Sequence, residues 1–563
     1  PRRASTRQRR PRAPIRPPNF ARPVCVPGAL HMAKGGPTMD AFSFGGVAAQ
    51  LGDAVDLDAP AILAGETVVS WRDFDARSDA LAAEMLAAGA EPGDRVAHLM
   101  RNGPAYLETT WAAFKARLVH VNVNYRYTGE ELFYILDNSD STVVVYDAEF
   151  APLIRELRPR LAKVKLFLQV GGTPDDFATG FEDAATGDRP LPVQDHAPTD
   201  MLYIYTGGTT GHPKGVMWDQ GDIWRLMGAG ASGQPGDTPT PTMADLLEKV
   251  RTGDMRRALI LPPLMHGSGF LIAIYTLALG GSIVLTEGKS YDPAEAIRAV
   301  QRHRPNWAVI VGDAFARPLL RELDANGGDL SPLQIIISSG TMWSPEVKAG
   351  LLRHNPDLLL LDALGSSESL GMGMSITGKD NAGAPTKFDH DPDTIVVDED
   401  MKPIPPGDPR TGRIARGGLI PRGYHADPEK SAATFLTIDG RRYALAGDHA
   451  RVEADGNIIL LGRGSQCINS GGEKIFPEEV EECLKTHAAV DDALVFGVAD
   501  EKWGQAVTAV VETSATAEEA ALIAHCKTCL AAYKAPKRIL TVDKVPRAPN
   551  GKADYARAKE MAT

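Results

Sequence analysis

Between residues 60 and 365 the chain alternates short apolar runs with amphipathic stretches. TVVVYD (142–147), MLYIYT (201–206), ALILPP (258–263), SIVLTE (282–287), WAVIVG (307–312), LQIIISSG (333–340) and LLLLDALG (358–365) read as buried strands. YDPAEAIRAVQRH and SPEVKAGLLRH, which lie between them, carry a helical period. Buried runs separated by helices predict an α/β fold of sheets covered by helices on their faces. Ligands in such folds bind beyond the carboxyl ends of strands, and several of these runs end in Gly, Ser, Thr or Pro loops. The longest apolar stretch, FLIAIYTLALGGSIVL (270–285), is broken by Gly280-Gly281 and reads as helix, turn and strand. It is short of the roughly 20 residues a membrane span needs.

After about residue 410 the texture changes to short β-type segments, GRIARGG, RYALAGDHARV and GNIILLGRG. GSQCINSGGEKIFPEEV is then a polar, glycine-rich break. Residues 466–563 predict a small α+β unit with two helices and a few strands. A Pro/Gly/Thr loop, 231–243, is inserted between strands, and no internal repeat is visible. A length of 563 residues requires at least two domains.

The formal net charge of −12 argues against nucleic acid or an anionic membrane as partner. A nucleotide site would have to be made locally, from backbone amides and a few lysines. Five cysteines in so long a chain do not make a disulfide framework. Cys526 and Cys529 form a C-x-x-C pair within a helical pattern, without a second pair at zinc-finger spacing, so plain helix residues are expected there. Residues 1–38 are rich in Arg and Pro and lack a signal-peptide core. They are expected to be a disordered or non-native extension, with a transit peptide as the alternative.

The sharpest local signal is YTGGTTGHPKG (205–215), where a strand runs into a loop of small residues with one lysine. Gly207, Gly208 and Gly211 allow backbone amides to converge on an anion, Thr206, Thr209 and Thr210 add hydroxyl donors, and Lys214 adds a positive charge. The wording departs from the Walker loop, because His212-Pro213 precedes Lys214 and Gly215 follows it. By itself the segment could also be a Gly/Thr-rich turn with no ligand.

This loop resembles that of the adenylate-forming superfamily, which includes acyl-CoA synthetases, firefly luciferase and peptide-synthetase adenylation domains. Further segments resemble the family's motifs in the family's order. PPLMHGSGF (262–270) resembles the loop lining the acyl pocket, with His266 at the matching position. ALGSSESLG (363–371) resembles aromatic-Gly-x-Thr-Glu, with Leu364 for the adenine-stacking aromatic residue, Ser367 for Thr, and Glu368 kept. The resemblance implies nucleotide contacts from Gly340, Leu364, Gly365, Ser366 and Ser367, and Mg²⁺ on Glu368, a hard oxygen ligand. GRIARGG and GYHADPEKSAATF (423–435) resemble the next two segments, with no catalytic role assigned.

YALAGDHA (443–450) resembles the ribose-binding segment, with Ala446 for Thr and Asp448 kept to accept from both ribose hydroxyls. GRGSQCINSGGEKIFPEEVE (462–481) resembles the hinge motif: Arg463 at the nucleotide, Ser465 at the pivot where the family has Asp or Lys, and Gly471-Gly472-Glu473 in the loop that builds the pantetheine tunnel. VPRAPNGKADYARAKE (545–560) places Lys552 at the family's adenylation lysine.

The resemblance covers essentially residues 40–560. It implies a large N-terminal domain (39–464) of helix-covered sheets plus a β-rich subdomain, and a small mobile C-terminal domain (466–563) hinged at Ser465. The implied activity is an AMP-forming acid–CoA ligase that uses ATP, Mg²⁺ and coenzyme A, with Lys552, Glu368, Thr206 and His266 in catalysis. The acyl pocket is expected from His266, Gly267, Gly312, Ser339, Gly340 and Met372. The expected acid is medium- or long-chain, a steroid side chain or an aryl-alkanoic acid. The partners are that small-molecule acid, ATP and CoA in the cytoplasm, without an integral membrane segment and with a homodimer left open. Loading of a carrier protein is the first alternative, lowered by the lack of a carrier domain after residue 563. A non-catalytic nucleotide-binding paralogue is the second, and retention of Lys214, Glu368, Asp448, Arg463 and Lys552 speaks against it.

Overall fold

A computed structural model describes residues 42–562 apart from 128, 207–212, 232–236, 254–255, 342, 385, 471–472, 501–503, 531 and 549–550. Residues 1–38, Gly207, Gly208, Thr209, Thr210, Gly211, Gly471 and Gly472 lie outside the described residues, as do the side chains of Arg463, Ser465 and Glu473. Among the described residues no helix is long and apolar enough to cross a membrane.

Each apolar run read from the sequence forms a strand. In a nine-stranded sheet, Leu359–Ser366, Ile335–Ser339, Trp307–Ile310, Arg257–Ile260, Ser282–Leu285 and Pro60–Ala64 lie side by side in parallel. Antiparallel Ser369–Thr377 and Asp389–His390 extend one side, and Thr67–Ser70 closes the other. In an eight-stranded sheet, Met201–Thr206 opens a parallel series through Val119–Asn122, Arg95–Leu99, Ser141–Asp147 and Leu166–Val170. Its antiparallel edge is Lys214–Asp219 followed by Gly423–Tyr424. Burial on both faces explains the near-continuous apolar wording of the parallel strands.

The largest apolar cluster joins the two sheets through the helices Phe44–Leu51, Trp71–Ala87, Pro104–Lys115 and Gly267–Ala278, with Trp71, Phe74, Trp111, Trp224 and Tyr275 buried in it. Local chemistry sets the helix limits. Pro293–His303 begins where the Asp292 carboxylate accepts from the Ala294 amide at 2.9 Å with Pro293 in the first turn, and it ends at Arg304 in the left-handed region, φ 49°. The Trp307 strand stops at Ile310, two residues earlier than its apolar run, because Gly312 opens the next helix, Gly312–Asn326.

The β-rich segments form a six-stranded antiparallel sheet that includes Gly412–Arg416, Arg441–Ala444, Asp448–Val452 and Ile458–Arg463. Beyond it a five-stranded sheet contains Ile468–Ser470, Val490–Asp500, Gly504–Thr513 and Arg538–Val542. The two helices expected here are joined by a third: Pro477–Lys485, Glu519–Cys529 and Tyr555–Ala562. The last is weakly marked in the sequence because it is short and buries only Ala558 and Ala562.

The Gly280-Gly281 turn brings the helix Gly267–Ala278 back into its own sheet. Gly280 sits at φ 71°, and a Cβ on Gly281 would lie 2.3 Å from the Arg256 carbonyl oxygen, which accepts from the Ser282 amide at 2.8 Å. Gly281→Ala is therefore expected to lower stability by about 1–3 kcal/mol, measured as a lower urea midpoint with unchanged slope. An unchanged midpoint would show that the turn relaxes freely.

Candidate active site

The parallel strands of the nine-stranded sheet present alternate residues to one cavity of about 420 Å³. Trp307, Val309 and Val311, then Ile337 and Ser339, then Leu361 and Ala363 share that face, as the two-residue strand period requires. Ile204, Leu226, Met227, Leu271, Ile272, Leu370 and Met374 complete an apolar trough. From Trp307 to Val311 the trough runs roughly 13 Å, four residues of strand rise. At the Trp307 end lies Arg256, its guanidinium carbon 3.9 Å from the Trp307 ring centroid and 5.8 Å from that of Tyr275. Burial pushes the Arg256 pKa down to about 10, so it remains a cation at neutral pH.

The opposite end of the cavity is polar. Thr206, His266, Gly267, Ser339, Gly340, Leu364, Gly365, Ser366, Ser367 and Lys552, all expected from the sequence, line it. The Ser366 hydroxyl is buried there without a hydrogen-bond partner among the described residues. Thr206 ends its strand in register with Lys214, so residues 207–213 join two strands of one hairpin. The Lys214 ammonium lies 5.0 Å from the Tyr424 ring centroid, and the Tyr424 hydroxyl donates to Glu368 Oε1 at 2.9 Å. The Trp218 indole N–H donates to the Ser367 carbonyl at 2.8 Å, tying the Ser366–Glu368 turn to the hairpin. Asp448 opens its strand opposite Arg463 in register, outside the cavity lining.

Two expected pocket residues are not brought to the lining. Gly312 begins a helix, and its amide donates to Ser338 Oγ at 2.8 Å. Met372 packs with Leu364, Phe388 and Val396 instead. The strand register shifts between Leu364 and Ser366 and Gly371 lies at φ 66°, an irregularity of the kind that re-aims side chains. Leu370 and Met374 take the wall that Met372 was expected to form.

Lys552 arrives from the small domain. Arg547 grips both oxygens of Asp492 at 2.6 and 2.7 Å, and its third nitrogen donates to the Gly551 carbonyl at 3.2 Å. Gly551 sits at φ 79°, and a Cβ there would lie 2.6 Å from Ala314 Cβ. On the other side Gly340 sits at φ 91°, a left-handed backbone that favours glycine, and a Cβ there would lie 4.0 Å from Lys552 Cε, an ordinary contact. Arg321–Asp491 at 2.7 Å and Lys485–Asp313 at 3.6 Å join the two domains. Burial would raise the Asp313 pKa, but Lys485, Arg317 and two hydrogen bonds from Ser344 outweigh it and hold the carboxyl below its ordinary range.

Sequence reasoning missed the groups that position these loops. Asn122 Nδ2 donates to the Tyr205 and Met265 carbonyls at 2.9 and 2.7 Å, and its Oδ1 accepts from the Tyr205 amide at 2.7 Å. Asn102 Nδ2 donates to the Pro262 carbonyl at 3.0 Å and its Oδ1 accepts from the Leu264 amide at 2.7 Å. The available signal was a polar amide interrupting the apolar run VHVNV, since a buried amide needs partners.

The family model described as AMP-binding enzyme matches residues 52–425, and the one described as AMP-binding enzyme C-terminal domain matches residues 479–552. The medium-chain acyl-CoA ligase Mig of Mycobacterium avium is 38% identical over 93% of this chain and 99% of its own. The 3-oxocholest-4-en-26-oate–CoA ligase of Rhodococcus rhodochrous is 38% identical over 90% of this chain and 94% of its own. The fold is similar to the crystal structure of the anthranilate CoA ligase AuaEII in complex with anthranoyl-AMP, at a TM-score of 0.78, 21% identity and coverage of 93% and 98%.

Burial, and then the nearby Lys552 ammonium, push the His266 pKa down to about 3. The imidazole is therefore neutral throughout the physiological range, and any stability this gives is present above its unfolded value and lost as pH falls below it. The His266 ring resonances should show no titration between pH 8 and pH 5. A midpoint near the ordinary histidine value, roughly 6.5, would mean that the ring is solvated.

Proposed function

The chain belongs to the AMP-binding enzyme family and is an ATP-dependent, AMP-forming acid–CoA ligase; we propose that its acid is hydrophobic and extended, that Lys552 serves adenylation and that Glu368 holds Mg²⁺. The observation that carries this reading is that one cavity joins an apolar trough to a glycine- and serine-lined end where Lys552 stands. An acid in the trough points its carboxylate at that end. A carboxylate oxygen forms a bond to the α-phosphorus of ATP, the bond to pyrophosphate breaks, and an acyl-adenylate results. Charge builds on the carboxylate and phosphate oxygens, and the Lys552 ammonium offsets it at a site already shaped for it.

His266 supplies a polar but uncharged wall beside Lys552. Thr206, Lys214 and the loop 207–211 would receive the β- and γ-phosphates, Asp448 and Arg463 the ribose and phosphate. Leu364 would pack on adenine in place of the aromatic residue of the family's motif. A carboxylate with one oxygen tied by Tyr424 fits Mg²⁺, which takes few protein ligands alongside substrate phosphates, and the ion when bound would offset phosphate charge. CoA thiolate then attacks the acyl carbon and AMP leaves. For that step the small domain rotates about Ser465, the Arg321–Asp491 and Lys485–Asp313 contacts part, and residues 471–473 replace Lys552. A cytoplasmic location follows from the need for ATP and CoA.

Lys552→Ala is expected to slow acid-dependent pyrophosphate exchange by roughly 10²–10³-fold while sparing thioester formation from supplied acyl-AMP. Gly551→Val should follow the same pattern, because its Cβ collides with Ala314 and pushes the loop out. Equal loss of both half-reactions in both variants would remove Lys552 from its adenylation role.

The trough supports the acid class. Its length of roughly 13 Å suits a medium or long chain or a fused-ring acid, in keeping with the substrates named for the relatives. A cation at its far end, beside Trp307, favours an oxygen at the distal end of the acid. Against two acids of equal length, with and without a terminal keto group, the wild type should favour the keto acid. Arg256→Leu should lower kcat/KM for the keto acid by roughly tenfold and leave the unsubstituted acid nearly unchanged. Parallel losses on both acids would reduce Arg256 to a structural role.

A further inference from the structure

In the small domain the helix Glu519–Cys529 packs on the helix Pro477–Lys485. This contact brings Cys483 Sγ, His525 Nε2 and Cys529 Sγ within 4.8 Å of one another. His525 and Cys529, one helical turn apart, face the same way, and Cys529 Sγ is 3.9 Å from His525 Nε2. In a tetrahedral site with metal–sulfur bonds of about 2.3 Å, neighbouring donors sit about 3.8 Å apart. Side-chain rotations of about 1 Å would close the set. The donors also grade from a buried Cys483 to an exposed Cys529, which gives an ion a path in from solvent.

From the sequence, Cys526 and Cys529 are expected to be plain helix residues, and Cys526 is indeed directed into the core of the small domain. The third donor comes from a helix 42 residues away in the chain, a separation that no local motif encodes. Cys526 still bears on the cluster, because the Cys483 thiol hydrogen-bonds Cys526, a contact that it would give up on binding an ion.

We propose that Cys483, His525 and Cys529 bind a thiophilic divalent cation, zinc by the chemistry of the two-sulfur, one-nitrogen donor set, with the fourth position open to water. Binding releases two thiol protons to solvent. The imidazole coordinates through Nε2 and passes to its Nδ1–H tautomer, giving up the hydrogen bonds that Nε2 shares with the Cys483 carbonyl at 3.1 Å and Thr486 Oγ1 at 2.8 Å. The ion would add a cross-link between two helices that meet through apolar side chains and the hydrogen bonds of His525.

The test is titration of the full-length, chelator-treated and reduced protein with Co²⁺, read by absorption. The expected result is one ion per chain with the visible band of tetrahedral cobalt and a thiolate charge-transfer band, both removed by Zn²⁺. His525→Ala and Cys529→Ser, on the solvent side of the site, should each weaken Co²⁺ binding at least tenfold, and Cys526→Ser should keep the band. No tetrahedral band from a protein whose thiols titrate as free would overturn the proposal. So would unchanged binding in His525→Ala, or a Cys483–Cys529 disulfide found by mass spectrometry in the protein as purified.

Discussion

A lysine from one domain must reach the floor of a cavity built by another, and the surrounding structure is arranged around that reach. The loop carrying Lys552 is stiffened by Arg547, which holds Asp492 with one side of its guanidinium and the Gly551 carbonyl with the other. Glycine is required at Gly551, where a side chain would meet Ala314, and at Gly340 by its left-handed backbone. The charged contacts between the domains, Arg321–Asp491 and Lys485–Asp313, lie beside this loop. For the proposed domain rotation, paired charges suit a contact that forms and parts, because each group can be rehydrated on separation. A large apolar interface would hold them together more firmly.

The sheet determines what Lys552 meets. Parallel strands end at the same level, so their last residues and the loops after them make the polar end of the cavity, while earlier residues on the same face make the trough. Two buried asparagines then pin the loops: Asn122 joins the Tyr205 strand end to Met265, and Asn102 holds Pro262 and Leu264. His266 is placed by this pinning beside Lys552, where burial keeps it neutral and a second positive charge is avoided. Fold and chemistry are thus linked through a few amide hydrogen bonds.

Much of this was legible in the sequence. Apolar runs such as TVVVYD and SIVLTE became parallel strands because burial on both faces leaves no room for alternation. Gly280-Gly281 marked a turn whose necessity appears only when the Arg256 carbonyl is seen against it. Motif wording located Thr206, His266, Ser366 and Lys552 at one cavity. Met372 and Gly312 were misplaced because a register shift and a helix start are set by neighbouring strands, not by the local wording. Asn102, Asn122 and Arg547 were missed because their partners are brought near only by folding. Arg256 and Trp307 were equally hidden: the far end of the trough is assembled from the beginnings of strands, where no motif was sought.

The most direct test of the account is the fate of carboxylate oxygen. With an acid labelled with ¹⁸O in both carboxylate oxygens, attack on the α-phosphorus and later cleavage by CoA leave one labelled oxygen in AMP. Mass spectrometry of the nucleotide product should therefore find singly labelled AMP in step with acyl-CoA formation. Unlabelled AMP, or label appearing in inorganic phosphate together with ADP, would contradict an acyl-adenylate intermediate.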